Sequence, residues 1–169
     1  MTVRLLVEDG PHPGVARARV LSWARSMLAA LQLEDAEWSI VLTGDDQIQK
    51  LNRMYRRKNR PTDVLAFAQR EGPVPVARAH LSPASSSGRH AERAGRLLGD
   101  VIVSVPTARR QAASAKRDLA SEIVMLLAHG LLHLLGWDHD TPSRDRRMRR
   151  ETERLCRAAR ARSAKPASR

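Results

Sequence analysis

The chain has 169 residues, enough for one domain with a sizeable buried core. Its 30 Lys and Arg against 18 Asp and Glu give a formal charge of +12, which favours a polyanionic partner, nucleic acid ahead of an anionic membrane surface. One cysteine excludes an internal disulfide, and an aromatic content of 3% excludes an extended stacking platform, so any grip on RNA should be directed at phosphate. Arginine far outnumbers lysine and alanine is abundant, as in a biased genome, so charge alone does not fix the partner.

The opening MTVRLLVEDG is too short an apolar run for a signal peptide, and no stretch reaches about 18 uninterrupted apolar residues. A soluble, cytoplasmic protein without a membrane contact is expected. Residues 3–7 read as a strand closed by the turn-rich 9–14, where His12 is solvated. From Val15 to Leu31, the positions Val20, Trp23, Met27 and Leu31 recur at helical spacing. Trp38 to Leu42 is a second strand, and Thr43-Gly-Asp-Asp46 caps a helix ending near Asn52.

Five basic residues follow, Arg53, Arg56, Arg57, Lys58 and Arg60, before a turn at Pro61 and a strand over 64–68. Such a run is either a solvated loop or a loop that grips phosphate, for which arginine's planar fork is suited. Residues 70–96, rich in proline and serine, carry no periodicity and read as a long mobile loop holding the solvated His80 and His90. Leu97 to Val105 is a β-branched strand able to pair antiparallel with 64–68. A short helix over 107–116 comes next, and Asp118 or Ser121 can cap a longer helix after it. Thr141-Pro-Ser opens a last helix with Met148, Thr152, Leu155 and Ala159 along one face. Cys156 in that helix is a packing residue. From Ser143 onward there are 11 basic and three acidic residues, and 163–169 should fray. The expectation is an α+β fold: one layered domain over 1–162, a mixed sheet of about four strands, the first two parallel.

The densest chemistry lies at His129-Gly-Leu-Leu-His-Leu-Leu-Gly-Trp-Asp-His139, an H-x3-H-x5-H pattern in a largely apolar helix. That helix should be central and buried. Residues four apart share a helix face, so His129 and His133 can hold one ion between them. Gly136 lets the chain reverse and bring His139 to the same point. Three imidazoles with an open fourth position describe a catalytic zinc site. Imidazole also suits copper, iron and nickel. The spacing matches the metzincin protease pattern except that Gly130 stands where those proteases carry the glutamate base. A hydrolytic but non-proteolytic site is the reading.

These stretches together resemble the YbeY-type endoribonucleases. The similarity is carried by the histidine segment, by Leu51-Asn-Arg-Met-Tyr-Arg-Arg-Lys-Asn-Arg-Pro-Thr-Asp-Val-Leu-Ala-Phe67 and by Leu98-Gly-Asp-Val-Ile102. Gln111, Ala112, Glu122, Met148 and Glu151 agree as well. The resemblance implies one Zn2+ held by His129, His133 and His139, and an endonuclease acting on single-stranded RNA. It also implies a role in small-subunit ribosomal RNA 3′-end maturation and ribosome quality control, with ribosomal RNA, the small subunit and ribosomal proteins as partners. Arg56 is then the functionally important arginine, catalytic through contact with phosphate. Arg57, Lys58 and Arg60 are candidate RNA contacts. Asp138 is a candidate orienting residue, and Glu122 and Asp100 are either near the chemistry or a structural ion pair and turn cap. Trp137, Ala66 and Ala68 depart from the family's usual tyrosine, serine and proline. With glycine at 130, the proton acceptor is either the metal-activated water itself or a carboxylate from elsewhere. Two other functions stay open: a non-catalytic ribosome-assembly factor with a structural zinc, and a hydrolase of another substrate.

Overall fold

The computed structural model describes residues 1–69 and 97–163; the expected loop at 70–96 and the tail from 164 onward lie outside the described residues. The elements in chain order are β1 (Thr2–Val7), α1 (Arg17–Ala30), β2 (Glu37–Thr43), α2 (Asp45–Arg56), β3 (Val64–Ala68) and β4 (Leu97–Ser104). Three helices follow: α3 (Val105–Ser114), α4 (Leu119–Leu134) and α5 (Pro142–Ser163). No described helix is long and apolar enough to cross a membrane.

The four strands form one mixed sheet in the order β1-β2-β4-β3. β1 and β2 are parallel, with Leu5 opposite Ile40, as a strand–helix–strand unit requires. β2 and β4 are also parallel, with Ile40 opposite Val101, while β3 runs antiparallel to β4, with Ala66 opposite Val101. Among the described residues, β3 is therefore an edge strand. The α+β architecture expected from the sequence is the one observed.

Strand alternation divides the interior into two faces. On one, Leu5, Ile40, Leu42, Val101 and Val103 meet the buried sides of α1, α4 and α5. On the other, Val41, Leu65 and Ile102 pack on Ile48 and Leu51 of α2. The last helix buries Met148, Thr152, Leu155 and Ala159, the face that its spacing predicted. α4 is buried over most of its surface, from Ile123 to Leu134. Few polar side chains interrupt it, so both the sheet and the two flanking helices can cover it.

Two boundaries are set by identifiable caps. Asp118 is the N-cap of α4, its Oδ1 accepting the Ser121 N–H at 2.8 Å. Ser104 caps α3 by accepting from the Thr107 N–H, with Pro106 in the first turn. One boundary differs from expectation. α2 does not end near Asn52 but continues to Arg56, with Arg57 left-handed at φ 57°. Arg53 and Arg56 occupy its last turn, where the helix dipole favours cations, so the basic run extends the helix that was expected to end before it.

Gly130 lies where α4 meets the sheet. A Cβ there would come within 2.7 Å of Val101 Cγ1 and 3.4 Å of Val64 Cγ2. Any side chain at 130 therefore starts against the Val101 side chain of β4, with Val64 of β3 in contact beside it. Gly130→Ala should lower stability by about 1–2 kcal/mol, the overpacking cost outweighing alanine's better helix propensity. Urea unfolding of the two proteins checks this; equal or greater stability of the variant would contradict the close approach.

Candidate metal centre

His129 and His133 project from the last two turns of α4, and the chain reverses just beyond them. Gly136 has φ 82°, its N–H donates to the His133 carbonyl at 3.0 Å, and the Trp137 N–H donates to the Leu132 carbonyl at 3.0 Å. This paired pattern is the Schellman motif that a left-handed glycine permits. It carries His139 back toward the other two histidines. Asp138 holds the returning chain, its Oδ1 accepting the His139 N–H at 2.6 Å.

The three rings converge. One ring nitrogen from each lies within 4.8 Å of the others. The Nε2 atoms of His129 and His133 are 3.1 Å apart, and the ring centroids are 4.7, 5.3 and 5.9 Å from one another. Zn–N bonds of about 2.0–2.1 Å in a tetrahedron place nitrogens about 3.3 Å apart, so the donor set fits a zinc-sized ion with small adjustments. Burial drives the His129 pKa down to about 4, helped by the nearby His133 and His139 and opposed by Asp63 and Asp145. His133 is lowered by burial, then by His139 and Arg56. Both rings are thus neutral near pH 7, which is the form that donates a lone pair.

Arg56 reaches the centre from the opposite face of the sheet. From the end of α2 its Nη2 approaches the Ala66 carbonyl at 3.5 Å, around the edge strand β3. Its charge is felt at His133. It is exposed and has room to meet a ligand. Arg57, Lys58 and Arg60 are also exposed, in a loop that Asn52 secures by donating to the Arg60 carbonyl at 2.7 Å.

The structure separates the remaining candidates. Glu122 is buried, with Arg117 Nη2 2.9 Å from its Oε2. Asp100 is not at a turn: it lies within β4, and alternation puts it on the face of Ile102, away from α4. The sequence offered no reason to single out Asp63. At the start of β3, its Oδ1 accepts from the Val64 N–H at 2.8 Å and the Thr62 hydroxyl at 3.1 Å, while its Oδ2 accepts from Gln111 at 3.0 Å. It acts on His129 electrostatically and lines the same cavity. In sequence it reads as a turn residue after proline.

The fold and site together define a class: an α+β protein whose buried helix and following turn present three converging imidazoles beside an arginine. Comparisons make this specific. The family described as Endoribonuclease YbeY matches residues 12–160. Curated relatives of that name include one from Anaeromyxobacter sp. (strain Fw109-5), 43% identical over 94% of this chain and 72% of the relative. Another, from Aquifex aeolicus, is 36% identical over 82% of this chain and 80% of its own. The chain belongs to the endoribonuclease YbeY family. A solution structure of a Thermotoga maritima protein shares the fold, with a TM-score of 0.56 at 21% identity over 99% of this chain and 100% of that one.

Glu122 yields a test of its surroundings. Burial raises its pKa, Asp63 adds to the rise, and Arg117 opposes it. An acid with a raised folded pKa contributes its stability below the unfolded pKa and loses it as pH climbs through the folded value. Glu122→Gln should therefore match the wild type near pH 4 and gain on it toward about pH 7. Paired Tm measurements check this; a variant that loses ground as pH rises would show Arg117 to dominate.

Proposed function

We propose that this protein is a zinc-dependent, single-strand-specific endoribonuclease that cuts a phosphodiester by hydrolysis. The observation that carries this reading is the convergence of His129, His133 and His139 with Arg56 approaching from the β3 edge, in a chain of the YbeY family. When bound, zinc supplies a water activated near neutral pH and positive charge at the phosphoryl oxygens. His129, His133 and His139 hold it, and the lowered pKa values of His129 and His133 let those two bind near pH 7 without releasing a proton. Arg56 contacts a non-bridging phosphate oxygen, adding charge stabilisation where negative charge builds up in the transition state. Asp138 fixes the turn that presents His139. Arg57, Lys58 and Arg60 extend the phosphate-binding surface along the flanking strand. The missing protease glutamate has a steric counterpart here, since position 130 faces Val101 and Val64.

Within the cell, we assign this activity to ribosomal RNA, in maturation of the small-subunit 3′ end and in ribosome quality control. Family membership and the charge of +12 support that assignment. Its setting is the cytoplasm, and the domain spans 1–162.

Metal content and cleavage of single-stranded RNA, measured together, test the catalytic reading. The wild type should hold one zinc per chain and cleave. His133→Ala should lose both the metal and the activity. Arg56→Glu should keep the zinc but fall by at least about 100-fold in rate, the scale of losing a charge-stabilising group. If metal-replete wild type cleaves no RNA, the enzyme reading is lost. Cells lacking the protein should accumulate small-subunit RNA with an unprocessed 3′ end, restored by the wild type but not by Arg56→Glu.

Metal should also stabilise the fold by mass action, by about 2.7 kcal/mol at 100 times the dissociation constant. Chelation should accordingly lower the Tm of the wild type and leave that of His133→Ala unchanged. A wild-type Tm indifferent to chelator would argue against a bound ion.

A further inference from the structure

The last helix, α5, has one face in the core and one in solvent. Met148, Thr152, Leu155 and Ala159 are buried against the rest of the domain. At 3.6 residues per turn, Arg146, Arg150 and Arg157 fall within about 40° of one another on the opposite side, and Arg160 lies close beside them. All four are exposed. Neighbouring arginines are engaged: Arg144 with Asp140 at 3.0 Å, Arg149 with Asp145 at 2.8 Å, Arg154 with Glu151, and Arg147 over the Trp137 ring at 4.8 Å. Arg146, Arg150, Arg157 and Arg160 make no salt bridge among the described residues, and Glu153 is the acidic residue on their arc.

From Arg146 to Arg160 this stripe spans about 21 Å, at 1.5 Å per residue. It starts beside the metal centre, because α5 opens three residues after His139 and Asp145 in its first turn acts on His129. It leads away along α4. The Ser121 hydroxyl and amide hold the Asp118 carboxyl below its usual range, and Arg160 adds to that effect, which puts the far end of the stripe near the N-cap of α4.

A row of exposed arginines suits phosphate oxygens. What the row lacks decides the kind of strand. α5 contains no aromatic side chain on which an unpaired base could stack. A duplex keeps its bases paired inside and presents regularly spaced phosphates, and double-stranded RNA is recognised mainly through that backbone. A helix packed along its inner side holds its outer arginines in a fixed row, which matches a regular backbone better than a flexible strand. We propose that the outer face of α5 docks the backbone of a double-stranded RNA segment adjoining the single strand that is cut. The inference rests on the endoribonuclease reading and deepens its substrate: the preferred RNA is a junction between duplex and single strand. Arg146, Arg150, Arg157 and Arg160 contact the duplex phosphates, while Arg56 and the loop after it hold the single strand.

The test uses full-length, zinc-loaded protein and three RNAs: a blunt duplex of about 16 base pairs, a short unstructured strand, and a hairpin with single-stranded extensions. The blunt duplex, which a single-strand-specific enzyme leaves intact, should bind in a fluorescence-anisotropy titration. Arg146→Gln, Arg150→Gln and Arg157→Gln together remove three phosphate contacts at little cost to the helix. They should flatten the slope of log K against log salt for the duplex by about 3. Cleavage of the hairpin should fall about tenfold in kcat/KM, through KM. Cleavage of the unstructured strand, and zinc content, should stay as in the wild type. The same charge change at Arg19 and Arg25 of α1 and Lys50 of α2, all exposed, should leave the duplex slope unaltered.

A wild type that ignores the duplex would overturn the proposal, as would an unaltered slope in the stripe variant or an equal change in the α1–α2 variant. An equal loss of cleavage on the unstructured strand would also overturn it, making the stripe a general phosphate surface. Duplex binding is read without cleavage, so the two readings fail separately. Cleavage of single strands by protein that does not bind the duplex rejects the dock alone. Duplex binding through the stripe by protein that cuts no RNA rejects the nuclease alone and leaves a duplex-binding face.

Discussion

The close approach of α4 to the sheet at Gly130 is the constraint on which the site depends. Val101 and Val64 occupy the space a side chain at 130 would need. Because α4 can sit this deep, His129 and His133, which flank Gly130 around the helix, are carried close to the sheet. The burial of Leu127, Leu131 and Leu132 around them leaves that helix little freedom to rotate. The glycine that removes a protease base is therefore also the one that lets the metal helix dock.

Two further devices complete the geometry. The Schellman turn at Gly136 returns the chain within a few residues, and Asp138 locks the turn through the His139 amide. On the other side of the sheet, α2 continues to Arg56 and ends there, so that a guanidinium rounds the edge strand. An edge strand is what makes this possible: a neighbour hydrogen-bonded to β3 on its outer side would stand between Arg56 and the histidines. In a chain of formal charge +12, burial holds His129, pushed down to about 4, and His133 below the usual imidazole range. Imidazoles buried beside Arg56 suit a positive ion approached by a polyanion.

The sequence made much of this legible. The histidine spacing, the glycine in the turn and the strands at 64–68 and 97–105 are local patterns, fixed by helical and extended periodicity, and the structure contains them, the last strand ending one residue early at Ser104. The buried stripe of α5 was equally plain, because Met148, Thr152, Leu155 and Ala159 recur at helical intervals. α2 runs past Asn52 to Arg56 because basic residues are favourable in a last helical turn, which charge density along the sequence does not reveal. Leu98-Gly-Asp looks like a turn in sequence, yet the glycine sits inside the strand with φ 132° and Asp100 follows it there.

By itself, then, the sequence determined which side chains could bind a metal and that two of them share a helix face, since both follow from near-neighbour geometry. Only the tertiary structure decided what surrounds them. That Arg56 reaches round β3 and that Asp63 acts electrostatically on His129 depend on elements far apart in the chain. Such relations arise from packing, which periodicity along one segment does not encode.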